Sequence, residues 1–406
     1  MTPRAGASTP RLNELYCYLT AGCNLRCRHC YLAPAWEPGP RLDQPCLDPG
    51  LFADVVRHGM ELGLAAVKLT GGEPLLHPGF AAMVAVVRGH ELALTIETNG
   101  VLCTPAVAGL LAEEPGAFVS VSLDGVDAAT HEHVRRVRGS FDAALAGVRN
   151  LVAAGLRPQL IMSVMRANRA HMEPMVRLAE EIGAGSLKFN VVMPAQRGAA
   201  LHESGETLSI AELVATGRWV EEELIPGSEL RVFYHHPPAF RPLGRLCGHS
   251  TRSDGCGRCG ILGMLGLLAD GSYALCGVGA FVPQMVFGHA ARDRLADVWE
   301  QTAVLSELRE GLPRRLEGVC GRCLMKRTCL AGCIAQNYYF SGDLWAPFWY
   351  CEAAYAAGLF PESRLYPADT GRSDELRASA SLAPSPPAAG ESERLLSHQT
   401  SARRLP

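Results

Sequence analysis

Residues 23 to 30 read CNLRCRHC, three cysteines at intervals of four and three residues, and no other stretch restricts the fold of this chain so tightly. Thiols this close within one loop need a common ligand, and the loop must wrap whatever that ligand is. The remaining cysteines group as well. Cys247, Cys256, Cys259 and Cys276 form a second set, and Cys320, Cys323, Cys329, Cys333 and Cys351 a third. Cys17, Cys46 and Cys103 stand apart, as small apolar residues expected in a core. Secreted chains rich in cysteine form disulfides, whereas cytosolic thiols stay reduced and clustered ones bind metal. Structural zinc takes a closed set of four ligands, and an iron-sulfur cube normally takes four as well. The first group offers three thiolates, so a cube bound there keeps one iron open. A zinc ion would need His29, which lies between ligands and would have to fold back sharply. Zinc is the corresponding alternative for Cys320 to Cys333 on spacing alone.

Around the triplet the chain alternates. Short β-branched or apolar runs, LYCYL (15–19), AAVKLT (65–70), LALTIET (92–98), AFVSVSL (117–123), PQLIMSV (158–164) and SLKFNVV (186–192), are separated by amphipathic stretches. Two of these, PGLFADVVRHGMELG and SFDAALAGVRNLVAAG, close on Gly as a helix C-cap does. The pattern is that of βα units, with parallel strands joined by helical crossovers. Six units predict an α/β fold, a partial (β/α)6 barrel, with the triplet directly after the first strand, at the C-terminal mouth where barrels place their chemistry. Side chains two apart share a strand face. Lys188 and Asn190 are therefore predicted to line the cavity, and Phe189 and Val191 to pack on helices.

From about residue 240 the texture changes to frequent Gly and Cys with short elements, which predicts a small domain stapled by its ligands. From Tyr366 onward Ser, Ala, Pro and Arg dominate, the composition of a disordered tail. The expected organisation is a short extension over 1–14, the barrel over 15–235, the cysteine-rich domain over 236–365 and the tail over 366–406. At 406 residues, 48% hydrophobic and 19% charged, the chain can bury a large core. A net charge of -3 gives no electrostatic footprint for nucleic acid or an anionic membrane. No run of about 18 apolar residues occurs and the first residues lack a signal peptide's apolar core, so a cytoplasmic protein is expected.

Cys23-x3-Cys27-x2-Cys30-Tyr31 after a first strand resembles the signature of the radical S-adenosylmethionine (SAM) enzymes. GGEPLL, from Gly71, follows the second strand and resembles the family's motif for the SAM ammonium; glycines let backbone carbonyls approach a small cation. ETNG (97–100) and SLDG (122–125) end the third and fourth strands and resemble segments around the SAM ribose and methionine. The resemblance implies that Cys23, Cys27 and Cys30 hold a [4Fe-4S] cluster whose open iron binds SAM. It implies SAM contacts at Tyr31, Gly71, Gly72, Glu73, Pro74, Asn99, Ser122, Asp124 and, on the fifth strand, Ser163. In the family, an electron from the reduced cluster cleaves SAM to a 5'-deoxyadenosyl radical, which takes a hydrogen atom from the substrate.

The C-terminal cysteines are similar to the SPASM extension of radical SAM enzymes that modify peptides and proteins. Gly271 stands five residues before Cys276, and Cys320-x2-Cys323-x5-Cys329-x3-Cys333 is followed by Cys351. By the family's pairing, Cys320, Cys323, Cys329 and Cys351 hold one auxiliary [4Fe-4S] cluster, and Cys259, Cys276 and Cys333 another, giving three clusters in all. The fourth ligand of that other cluster is Cys256, on the strength of its Cys-x2-Cys spacing, or Cys247, or the iron stays open.

Sulfatase-maturating enzymes share both regions but carry Asp after the cysteine equivalent to Cys276, where this chain has Gly277. The resemblance therefore implies maturation of a ribosomally made peptide. A protein-targeted maturase of the sulfatase-maturating type is the rival enzyme, and an iron-sulfur electron carrier or scaffold the rival outside catalysis. Nothing ahead of residue 15 is long enough for a leader-binding domain, so a separate leader-binding partner is one expectation. A flavodoxin or ferredoxin is the implied reductant. His235 and His236, beside prolines, read as solvated; Met325, Lys326 and Arg327 as part of the cluster loop; Tyr338, Tyr339, Trp345 and Trp349 as packing of the small domain. No catalytic base is identified.

Overall fold

The computed structural model describes residues 11–39, 43–244 and 260–367. Each of the six expected strands forms within a residue or so of its predicted bounds: β1 (Glu14–Tyr18), β2 (Ala66–Thr70), β3 (Ala93–Thr98), β4 (Phe118–Ser122), β5 (Gln159–Val164) and β6 (Ser186–Val191). They lie parallel and in sequence order. The sheet runs further than the sequence suggests. β7 (Arg231–Tyr234) adds a seventh parallel strand beyond β6, and on the far side of β1 stand β8 (Met264–Leu267), β9 (Ser272–Ala274) and β10 (Val286–His289). β8 is parallel to β1, while β9 and β10 turn back antiparallel. Among the described residues the sheet thus has ten strands, in the order β10-β9-β8-β1-β2-β3-β4-β5-β6-β7.

The two faces of the sheet differ because strand side chains alternate. Leu15, Cys17, Val67, Leu69, Ile96, Val121, Leu160, Met162, Leu187 and Phe189 are fully buried under the helices. The opposite face is polar: the register sets Tyr16 beside Lys68, Glu97 beside Ser120, Ser163 beside Asn190 and Ile161 beside Lys188. Lys188 and Asn190 lie half-buried on that inner face, as the alternation predicts, with Phe189 in the core.

Local chemistry sets the helix ends. In α1 (Pro49–Glu61) the Asp48 carboxylate accepts from Leu51 N–H at 2.8 Å and proline opens the first turn, while Phe52, Val55 and Val56 face the sheet. α2 (Phe80–Gly89), α3 (Pro105–Ala112), α4 (Ala128–Arg135) and α5 (Ser140–Ala153) follow β2, β3 and β4. Arg136, just past α4, takes φ 64°, so the helix stops there.

Short helices surround the later cysteines, packed by Trp299, Trp345 and Tyr350. Tyr338, Tyr339 and Trp349 lean on this core. Cys17 and Cys103 are buried in the core, and Cys46 is half-buried. His236 departs from the solvated reading: it is buried, with Nε2 3.2 Å from Glu221, between Tyr234 and Phe240. His235 is exposed. Among the described residues no helix is long and apolar enough to cross a membrane. Cys247, Cys256 and Cys259, the start of the expected N-terminal extension and almost all of the expected tail lie outside the described residues.

Candidate active site at the strand ends

The cysteine loop leaves β1 and folds over the C-terminal ends of the parallel strands. A short ladder pairs Gly22 with Ala35 and Cys23 with Trp36. Cys23 and Cys27 are buried and Cys30 is half-buried, gathered with Leu25, Val101 and Val137 in one apolar cluster. Three donors aim at the sulfurs: Leu25 N–H at 3.4 Å and the Asn99 amide at 3.9 Å from Cys23 Sγ, and Arg135 Nη1 at 3.4 Å from Cys27 Sγ. Burial, followed by the neighbouring Glu73 carboxylate, pushes the Cys23 thiol up. Burial raises Cys27 too, against the pull of Arg135.

The Gly-Gly-Glu turn after β2 is locked against this loop. Gly72 N–H donates to Thr20 O at 2.8 Å and Glu73 N–H to Gly22 O at 3.0 Å. A side chain on Gly72 would place its Cβ 1.9 Å from Gly22 O, and Gly71 sits at φ 134°, so both positions demand glycine. Glu73 is buried, and its carboxylate accepts from Leu75 N–H at 3.1 Å, Thr98 Oγ1 at 2.6 Å and Asn99 N–H at 2.8 Å. Burial pushes it up to about 6, with those hydrogen bonds opposing. Glu73 thereby ties the turn after β2 to the end of β3. Asn99 caps its own turn through Val101 N–H and donates to Asn24 at 2.7 Å. Pro74 opens the following turn, buried.

Asp124, after β4, has no exposed surface. Its Oδ1 accepts from Ser163 N–H at 2.8 Å, and its Oδ2 lies 2.7 Å from Arg135 Nε and 3.8 Å from His29 Nδ1. Burial works to raise this carboxyl, but Arg135 and the two histidines hold it below the usual range. His29 and His131 are each pushed down to about 4 by burial and so stay neutral at pH 7. Ser122 ends β4 half-buried. The nine positions expected at a SAM site thus lie on the cysteine loop or at the ends of β2 to β5.

Four residues at this site lie outside the sequence expectations: Thr20, Thr98, Arg135 and Tyr18. The Tyr18 hydroxyl accepts from Gly277 N–H at 2.7 Å and is paired with Tyr31, joining the cysteine loop to the segment after Cys276. An open groove beside Gly71 and Gly72 reaches Tyr18, Leu32, Leu268 and Ala269, a route into the strand ends from outside.

In the third group Cys320, Cys323, Cys329 and Cys351 line one cavity closed by Ala239 and Phe360. Cys320 and Cys351 share a hydrogen bond that leaves Cys320 the more acidic thiol. Phe348 N–H and Met325 N–H point at Cys320 Sγ and Cys323 Sγ, at 3.4 and 3.3 Å. Met325 and Lys326 line the same cavity, and Arg327 is exposed. Cys276 and Cys333 are half-buried. Among the described residues no three His, Cys, Asp or Glu side chains meet as one metal ion requires. Buried thiols gathered with backbone and side-chain donors on their sulfurs fit a polynuclear iron-sulfur cluster.

Residues 17–179 match the family model described as the Radical SAM superfamily. The chain is 28% identical to the AdoMet-dependent heme synthase of Methanosarcina barkeri over 82% of its own length and 94% of that protein's. It is 29% identical to the mycofactocin maturase MftC of Mycobacterium tuberculosis over 86% of its length and 85% of MftC. Streptococcus suis SuiB, solved bound to its precursor peptide SuiA, shares the fold with a TM-score of 0.64 at 17% identity, over 84% of this chain and 75% of SuiB.

Proposed function

We propose that this protein, a radical SAM enzyme with a cysteine-rich extension, matures a ribosomally made peptide. Cys23, Cys27 and Cys30 would hold one [4Fe-4S] cluster. Cys320, Cys323, Cys329 and Cys351 would hold an auxiliary cluster, and Cys276 and Cys333, with Cys259, a second. Cys256 or Cys247 would complete that second set unless an iron stays open. With SAM bound, the first cluster supplies reductive cleavage of the sulfonium and abstraction of a hydrogen atom from the substrate.

The chain's own residues have three tasks. Leu25, Val101 and Val137 keep water from the thiols. The Gly71–Gly72 turn offers backbone to the SAM ammonium; Glu73, with its oxygens engaged by Leu75, Thr98 and Asn99, holds that turn in place. Tyr31, Pro74, Asn99, Ser122, Asp124 and Ser163 would complete the SAM pocket. The polar inner face of the sheet, with Tyr16, Lys68, Glu97, Lys188 and Asn190, offers handles for a substrate backbone.

The observation that carries this reading is a three-thiol loop and a four-thiol cavity on one chain that is similar to the mycofactocin maturase MftC along 86% of its length. Formylglycine formation is disfavoured because Gly277 has no room for the aspartate of sulfatase-maturating enzymes: a Cβ there would meet the Tyr18 ring at 2.5 Å. The heme synthase relative supports a second reading, action on a heme precursor. A flavodoxin or ferredoxin would deliver the electrons, a separate partner would present the leader, and the groove beside Gly72 would admit the peptide.

Incubating the reconstituted protein with dithionite and SAM should yield methionine and 5'-deoxyadenosine, and Cys27→Ala should yield none; an electron carrier makes no 5'-deoxyadenosine. Co-expression with a short peptide encoded beside this gene, followed by mass spectrometry, should show a change in the peptide's hydrogen count. An unmodified peptide, with a heme precursor consumed instead, would overturn the peptide reading.

A further inference from the structure

The cysteine loop rests on the end of α4. Arg26 N–H donates to Arg135 O at 3.1 Å and Arg28 N–H to Val134 O at 2.9 Å. The backbone on either side of Cys27 is thus fastened to Arg135, whose side chain meets Cys27, and to its neighbour Val134. The Arg135 guanidinium, more than nine-tenths buried, donates from Nη1 to Cys27 Sγ at 3.4 Å and sets Nε 2.7 Å from Asp124 Oδ2. Asp124 is aimed by Ser163 N–H on its other oxygen. The remaining titratable neighbours are His29 and His131, both neutral at pH 7, and Glu73, whose oxygens are taken up by Leu75, Thr98 and Asn99. A cation therefore faces the ligand sulfur, with its counter-charge directly behind it.

We infer that Arg135 sets the reduction potential of the cluster held by Cys23, Cys27 and Cys30, and that Asp124 acts as its counterweight. The inference rests on the radical SAM reading of this site. Reduction adds one electron to the cluster. A cation hydrogen-bonded to a ligand sulfur favours the reduced form, and a carboxylate behind that cation opposes it. A guanidinium does not lose its proton, so the charge persists across the working pH range. Arg135 acts through Cys27 and is a positioning residue.

The two charges predict opposite signs. Arg135→Gln keeps a donor and removes the cation, so the cluster should become harder to reduce. Asp124→Asn leaves the cation uncompensated, so the cluster should become easier to reduce. A merely structural role would move both variants the same way.

The test is an anaerobic redox titration of the full-length reconstituted protein, following by electron paramagnetic resonance the reduced signal that changes when SAM is added. At fixed potential the reduced-to-oxidised ratio should fall at least tenfold in Arg135→Gln and rise at least tenfold in Asp124→Asn, each tenfold being ~59 mV for one electron. Arg135→Lys, which keeps the charge, should stay closer to the wild type. Iron content per chain verifies assembly; if Arg135→Gln fails to assemble, Asp124→Asn and Arg135→Lys decide. Shifts of one sign, or none, in assembled variants overturn the inference and leave the site reading intact. A wild-type protein without a SAM-sensitive signal overturns the site reading itself.

Discussion

Replacing Gly72 with alanine tests whether the turn after β2 and the cysteine loop form one unit. The added Cβ would lie 1.9 Å from Gly22 O and 2.6 Å from Gly22 C. Those are backbone atoms, and the nearer of them lies more than an ångström inside the ~3.5 Å at which nonbonded contacts become favourable. The cysteine loop would have to retreat by about that distance, and the Glu73 N–H bond to Gly22 O at 3.0 Å would break. Overpacking costs about 1–3 kcal/mol and a lost hydrogen bond about 1 kcal/mol, so the loss should be roughly 2–4 kcal/mol. Gly109→Ala is the control. It lies in α3 with nothing within 4 Å of the added carbon, and alanine should stabilise that helix by up to about 1 kcal/mol. Denaturant midpoints of the two variants should move in opposite directions, and Gly72→Ala should lose the SAM response of the first cluster while keeping auxiliary iron. A Gly72→Ala protein with an unchanged midpoint and an unchanged SAM response would mean that the turn and the cysteine loop are not one unit.

The Glu73 carboxyl, raised to about 6 by burial against an ordinary 4.5, binds a proton more readily folded than unfolded. Its contribution is fully present below 4.5 and lost as pH rises through 6, about 2 kcal/mol in all. Glu73→Gln should flatten that part of a stability-versus-pH curve measured with denaturant; an unchanged slope would count against the assignment. Cys320→Ser should remove about four irons per chain and leave the SAM-responsive signal in place, whereas loss of all iron would contradict separate clusters. Gly277→Ala should cost about 1–3 kcal/mol by driving Cβ into the Tyr18 ring, and Tyr18→Ala should relieve part of that cost in the double variant. Strictly additive midpoints would disprove the contact.

The six strands were legible because each is a short apolar run bounded by helical periodicity, and alternation along β6 was enough to separate Lys188 and Asn190 from Phe189. β7 is not legible: it is four residues long with Val232 and Tyr234 as its buried side chains, beneath what period-2 patterning can distinguish from a loop. The extension of the sheet by β8 to β10 depends on pairing between residues some 250 apart in sequence, such as Glu14 with Met264, which no local pattern encodes. The cysteine groups and the Gly-Gly-Glu turn stand out as short motifs. Arg135 does not, since HEHVRRVRG has the composition of a solvated helix face and the fold alone turns that side chain inward. Likewise the Tyr18 contact with Gly277 joins residues 259 apart. His236 beside prolines suggests a solvated loop, yet it is buried with its ring against the Glu221 carboxylate, 15 residues earlier.

On the radical SAM reading, Cys23, Cys27 and Cys30 leave one cluster iron open for SAM. The electron paramagnetic resonance spectrum of the dithionite-reduced, reconstituted protein, recorded before and after SAM is added, tests this directly. One cluster signal should change with SAM in the wild type, and that signal should be missing from Cys27→Ala. An identical spectrum with and without SAM would mean that no cluster iron is open to SAM.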